Sequence, residues 1–80
     1  MKLPRDISAT ELISSLKKFG YSVSRQKGSH IRLTTFSNGE HHLTIPNHHS
    51  LKLGTLSSIL NDVATHFKLT KEETINKLFG

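Results

Sequence analysis

The sequence predicts an α+β domain, one three-stranded antiparallel sheet with helices packed on a single face. Three observations predict it. An apolar stripe of helical spacing runs from Leu12 to Phe19, and a second one from Leu56 to Phe67. Between them, residues 21 to 46 hold three alternating runs separated by turn signals. The runs share one phase between residues 21 and 45, so their apolar side chains face the same side.

Ile7-Ser8-Ala9-Thr10-Glu11-Leu12 opens the first helix. Ser8 and Glu11 stand at capping-box spacing, and Ile7 and Leu12 at staple spacing. Leu12, Ile13, Leu16 and Phe19 make its apolar stripe, and Gly20 is placed to stop it. Tyr21 to Arg25 alternates as strand one, Lys27-Gly28 turns the chain, and Ser29 to Phe36 is strand two. Ser37-Asn38-Gly39 is a second turn signal, followed by strand three from Glu40 to Pro46.

The apolar pattern constrains how strands two and three pair. Ile31, Leu33, Leu43 and Ile45 share a face only if opposed residue numbers sum to an even value. A two-residue Asn38-Gly39 turn gives an odd sum and mixes the faces. A three-residue loop with Gly39 in the left-handed conformation sets Leu33 against Leu43, Ile31 against Ile45 and His30 against Pro46. The open face is then Ser22, Ser24, His30, Arg32, Thr34, His42 and Thr44. His41 falls on the core side, as a half-buried structural residue or an edge position.

Asn47-His48-His49-Ser50 is a polar loop, and Gly54-Thr55 opens the second helix. Its stripe is Leu56, Ile59, Leu60, Val63 and Phe67, and Leu69-Thr70 ends it. Thr70 and Glu73 repeat the capping-box spacing before a short last helix with Ile75, Leu78 and Phe79.

A chain of 80 residues is expected to be one domain, 1–80. It has no cysteine, which removes disulfides and thiolate zinc sites and fits a reducing cytoplasm. Pro4, Arg5 and Asp6 interrupt the first ten residues, so no signal peptide is expected. No apolar run approaches the roughly 20 residues of a membrane helix, so no membrane partner is expected. The net charge is +5. That balance suits phosphate backbones, acidic proteins or anionic membranes, and equally a basic domain with no such role.

One stretch carries chemistry: Arg25-Gln26-Lys27-Gly28-Ser29-His30-Ile31-Arg32-Leu33-Thr34. A basic tight turn precedes a strand that sets His30 beside Arg32 on the polar face. A titratable imidazole next to fixed positive charge suits a polyanion such as RNA. A lone histidine on a polar strand face is, however, most often simply solvated. Lys17, Lys18, Arg25, Lys27, Arg32 and Lys52 are the candidate phosphate contacts. Lys17 and Lys18 serve equally as favourable charges near a helix C-terminus. Gly28 and Ser29 complete the set, since a glycine turn lets a phosphate approach the backbone.

Six histidines raise the question of a metal. His41-His42 and His48-His49 are adjacent pairs, and neighbours on a strand point to opposite faces, so a strand pair is poorly placed to grip one ion. There is no HExxH motif and no carboxylate cluster, so neither metal nor cofactor is expected. A ribonuclease with two catalytic histidines is a better fit. His42 would lie roughly 13 Å from His30 at about 3.3 Å per residue, too far to share one scissile phosphate. His48 and His49 follow the Pro46 that faces His30, and of the two His48 is the candidate second group.

Three segments together resemble the HicA family of bacterial mRNA interferase toxins. They are Arg25-Gln26-Lys27-Gly28-Ser29-His30, Thr44-Ile45-Pro46-Asn47-His48 and the run from Leu51 to Leu60 containing Gly54-Thr55-Leu56 and Ile59-Leu60. The opening Lys2-Leu3-Pro4-Arg5 and the final Thr70-Lys71-Glu72-Glu73 extend the likeness over nearly the whole chain. The resemblance implies a double-stranded-RNA-binding-domain-like fold, cleavage of mRNA by a catalytic histidine that maps to His30, and a HicB-type antitoxin covering the active face. Two departures are Ile31, where many relatives carry a second histidine, and Leu53, where proline or lysine is common. The function expected is a metal-independent endoribonuclease toxin with His30 as general base and His48 as candidate acid. The alternative is a non-catalytic RNA-binding domain of the same fold.

Overall fold

The computed structural model describes residues 3–80. The chain runs α1 (Ala9–Leu16), a 3₁₀ turn (Lys17–Phe19), β1 (Ser22–Lys27), β2 (His30–Thr35), β3 (His41–Pro46), α2 (Leu53–Phe67) and α3 (Lys71–Phe79). The sheet order is β1-β2-β3, antiparallel throughout. This is the helix, three strands, helix order of a double-stranded-RNA-binding domain with a short extra helix, and the class is α+β as the sequence predicts. Lys2 of the opening motif lies outside the described residues.

Both capping boxes form. The Glu11 amide donates to Ser8 Oγ at 3.1 Å and the Ser8 amide to Glu11 Oε1 at 3.0 Å. At α3 the Glu73 amide donates to Thr70 Oγ1 at 3.0 Å and the Thr70 amide to Glu73 Oε1 at 2.8 Å. The bond from the cap amide, then that from the cap hydroxyl, holds each glutamate below the usual carboxylate range. α1 tightens into the 3₁₀ turn before Gly20, at φ 84°, ends it. α2 starts at Leu53, one residue before the expected Gly54-Thr55, with no side-chain cap from Lys52. It ends on left-handed Lys68, where the Leu69 amide reaches back to the Ala64 carbonyl at 2.9 Å.

The helices bury one face of the sheet. Ile31, Leu33, Leu43 and Ile45 meet Leu12, Leu16, Leu56, Leu60, Val63 and Leu78 in one core. Each fully buried aliphatic side chain contributes about 1.5–3 kcal/mol relative to exposure. Thr35, also fully buried, donates to the Phe19 carbonyl at 2.9 Å, tying the end of β2 to the 3₁₀ turn.

The β2–β3 register is the expected one: His30 opposite Pro46, Ile31 opposite Ile45, Leu33 opposite Leu43 and Thr34 opposite His42. The ladder stops at Thr35 and His41, so residues 36 to 40 connect the strands where a three-residue loop is expected. An odd number of residues preserves the facing, and Asn38 at φ 59° and Gly39 at φ 98° make the reversal.

β1 departs from the expectation. It begins at Ser22, continues to Lys27 and turns through Gly28-Ser29, with Lys27 opposite His30. Gly28, at φ 58°, takes the first central position of this two-residue hairpin. A β-bulge between Val23 and Arg25 shifts the register, so Arg25 pairs with Arg32 and Val23 with Leu33. The turn requires an odd sum of paired residue numbers, and the apolar phase of Val23 and Leu33 requires an even one. One extra residue, Ser24, reconciles them. Val23 stays 51% exposed at the sheet edge despite its inward phase.

Candidate active site

The open face of the sheet is polar. His30, Arg32, His42 and Thr44 are exposed there as expected, and so are Ser22 and Ser24. Thr34 shares the face but is only 7% exposed, because Ser24 and His42 close over its hydroxyl. The register set by the Gly28-Ser29 turn adds Arg25, which simple alternation from Val23 assigns to the core side. Arg25, Lys27 and Arg32 therefore gather around the His30 end of the β1–β2 ladder.

His30 begins β2 directly after the Gly28-Ser29 turn. A Cβ built at Gly28 meets nothing within 4 Å, so this backbone is open to approach. The Ser29 carbonyl accepts from the Asn47 amide at 2.7 Å, which ties the turn to the segment after β3. His48 follows. Its amide donates to the Pro46 carbonyl at 2.9 Å, and its carbonyl accepts from the Ala9 amide at 3.0 Å. The structure thus brings His30 and His48 to the same end of the sheet, both exposed, with His48 held through its backbone. Lys52 is exposed at the N-terminus of α2, in the segment whose Leu51 amide donates to the Ile7 carbonyl at 2.8 Å.

Lys17 and Lys18 are placed elsewhere. They line a cavity with Phe19, Gly20, Ser37 and Lys77, at the end of the sheet that carries the β2–β3 loop. Lys18 Nζ donates to the Leu78 carbonyl at 2.9 Å, closing on the C-terminus of α3. Of the eight residues proposed to contact RNA, Arg25, Lys27, Gly28, Ser29 and Arg32 sit in the hairpin that carries His30, Lys52 stands at the start of α2, and these two lysines lie at the other end.

The imidazoles divide by what they touch. His41 Nδ1 lies 2.7 Å from Tyr21 Oη, and its ring stacks on His66 at 4.4 Å and 11°. His66 Nε2 donates to the Ser37 carbonyl at 2.9 Å, and Asn38 Nδ2 donates to the His66 carbonyl at 2.8 Å. Burial pushes His41 below the ordinary histidine range, and His66 beside it adds to the effect. Burial also pushes the Tyr21 hydroxyl up to about 12, so at neutral pH the hydroxyl keeps its proton in its hydrogen bond with His41. His41 is the half-buried structural residue the sequence reading describes.

His42 is engaged at both nitrogens. Nδ1 meets Thr34 Oγ1 at 2.8 Å and Nε2 meets Glu40 Oε2 at 2.7 Å. Thr34 Oγ1 continues to Ser24 Oγ at 2.8 Å. The sequence sets Ser24, Thr34 and His42 on this face, but the hydrogen bonds that join them depend on pairing across three strands. For the place of Arg25 the available signal was Gly28-Ser29, a recognised two-residue hairpin pair, which already conflicts with the apolar phase. Among the described residues the His30, His48 and His49 imidazoles make no hydrogen bond, and no three histidine, cysteine or carboxylate side chains converge as a metal-binding group.

The family model for the HicA toxin of bacterial toxin-antitoxin systems matches residues 9–64. The match contains the His30 turn, Pro46-Asn47-His48 and Gly54-Thr55-Leu56, and excludes the opening and closing motifs. No curated protein and no solved structure matches the chain. No helix among the described residues is long and apolar enough to cross a membrane.

Proposed function

This chain belongs to the HicA family of toxin–antitoxin toxins, and we propose that it is an endoribonuclease that cleaves mRNA in the cytoplasm through His30 and is neutralised by a HicB-type antitoxin. The observation that carries the reading is the setting of His30. Its imidazole is exposed and makes no hydrogen bond among the described residues at the start of β2, on the face that also presents Arg25, Lys27 and Arg32. The other two imidazoles carried by the strands, His41 and His42, are already committed to protein partners.

The reaction needs no group beyond these side chains and the RNA itself. His30 removes the proton of a ribose 2′-hydroxyl, whose oxygen attacks the adjacent phosphorus. The bond from phosphorus to the 5′-oxygen breaks, and that oxygen takes a proton from His48 or water. The products are a 2′,3′-cyclic phosphate and a 5′-hydroxyl. Arg32 and the turn amides around Gly28 stabilise the charge that builds on the phosphorane.

The test is incubation of the purified chain with RNA and with the same RNA carrying a single 2′-deoxy residue at the cleavage site. Cleavage of the first, resistance of the second and indifference to chelator are expected. Cleavage of the deoxy substrate, or loss of activity that added metal restores, overturns the mechanism. Intact RNA held in a complex points instead to a non-catalytic RNA-binding domain.

A further inference from the structure

Phe36 is 74% exposed, the most exposed large apolar side chain among the described residues. It follows β2 directly, in the phase of His30, Arg32 and Thr34, so it extends the open face beyond the ladder. Its position is fixed from both sides. Thr35 is fully buried and bonded to the Phe19 carbonyl, and its hydroxyl accepts from the Ser37 amide at 3.1 Å. The Ser37 carbonyl accepts from His66 Nε2, and the Phe36 carbonyl accepts from the Gly39 amide at 3.3 Å. An exposed ring on so restrained a backbone loses little freedom when something stacks on it.

We propose that Phe36 is a base-stacking platform that binds one nucleobase of single-stranded RNA, a few nucleotides from the phosphate cleaved at His30. This rests on the endoribonuclease reading above and adds a substrate-positioning residue to it. Phe36 stands six residues along the chain from His30, roughly 20 Å at about 3.3 Å per residue. The face between them is polarised. Lys27, Arg25 and Arg32 crowd the His30 end, where phosphates are drawn. At the other end, the loop that holds Phe36 also holds Glu40, an exposed carboxylate tied to His42. A carboxylate repels phosphate but tolerates an uncharged base. A protein anchor would call for an apolar surround, whereas the side chains beside Phe36 on this face are Thr34, His42 and Glu40. An aromatic ring among polar groups, in line with a cationic track, is the pattern of single-strand recognition.

The experiment measures binding of a 2′-O-methyl oligonucleotide, which lacks the attacking hydroxyl, by fluorescence anisotropy. Phe36→Ala is expected to weaken binding about 5- to 150-fold. Phe36→Tyr should retain the affinity and Phe36→Leu should lose most of it, since leucine is apolar but has no π face. The melting temperature should not move, and neither should the slope of log K against log salt, because stacking releases no counterions. In oligonucleotides with one abasic site, a single position should reproduce the loss, and that loss should vanish in Phe36→Ala. Wild-type affinity in Phe36→Leu, or no abasic position sensitive to Phe36, overturns the proposal while leaving the endoribonuclease reading intact. Failure of the wild-type chain to bind the oligonucleotide at low salt overturns both.

Discussion

Arg25 lies directly across the β1–β2 ladder from Arg32, on the same face as His30. Like charges opposed on a sheet destabilise it by roughly 0.2–1 kcal/mol. The Gly28-Ser29 turn sets this pairing, as it sets Lys27 against His30, and the bulge at Ser24 lets Val23 still face Leu33. A fold that keeps two guanidinium groups together at some cost in stability is suited to a polyanion. Arg25→Gln should therefore raise the unfolding midpoint in urea slightly and weaken RNA binding at the same time. Its log K against log salt should flatten by about 0.7, the loss of one single-strand phosphate contact. A variant both less stable and equally salt-sensitive contradicts the assignment.

The total salt dependence counts the contacts. About four cations on phosphate give a slope near −3 for single-stranded RNA. Neutralising Lys17 and Lys18 measures whether the far end of the molecule contributes. An unchanged slope in Lys17→Gln and Lys18→Gln confines the phosphate track to the His30 end. A drop of about 0.7 for each extends it around the β2–β3 loop.

His30→Ala should lose about 10²–10⁴-fold in cleavage rate, the usual worth of a positioned general base. Its fold should persist, because the side chain is exposed and makes no hydrogen bond among the described residues. His48→Ala should cost less if water replaces it as the acid. Single-turnover rates and a circular dichroism melt on the same samples check both. Equal activity in His30→Ala removes it as the base.

Two of the three positive-φ glycines, Gly20 and Gly28, should respond differently to alanine. Gly20, at φ 84°, has Ser37 Oγ at 2.8 Å and Thr35 Oγ1 at 3.0 Å from a built Cβ, inside the contact that anchors β2. Gly20→Ala combines the left-handed penalty of about 1–2 kcal/mol with that clash. Gly28, at φ 58°, has open space and bears only the conformational cost. Urea midpoints should therefore fall more for Gly20→Ala, while RNA affinity should fall more for Gly28→Ala.

Stability should decline as the solution is acidified through His41. Its folded-state pKa lies below the ordinary histidine value because of burial and the stacked His66. The unfolded chain then binds the proton more readily, so stability is full above about pH 6.5 and falls below it, levelling off once the folded residue also titrates. Urea midpoints should drop from pH 7 to pH 5, and by less in His41→Gln. An equal drop in the variant assigns the effect to other histidines. At the alkaline end Tyr21 acts in the opposite sense. Its folded pKa is raised to about 12, so its contribution is complete below about pH 10 and is lost on rising through 12.

Much of the molecule is legible in the chain itself. The helix starts follow from Ser8 with Glu11 and Thr70 with Glu73, because a capping box is closed by residues three apart. The β2–β3 register follows from Ile31, Leu33, Leu43 and Ile45, because a one-residue slip would put the β2 pair and the β3 pair on opposite faces. His30 is placed on the open face by the same alternation. The β1 register was settled only in three dimensions. There a local turn preference and a distant apolar match disagree by one residue, and the bulge that absorbs the difference leaves Arg25 on the open face while Val23 keeps its inward phase. The fates of His41, His42 and His66 were likewise tertiary, since an imidazole's role depends on the groups that reach its two nitrogens. For these three the groups include Tyr21, Ser37 and Thr34, brought alongside by pairing and packing rather than by sequence spacing.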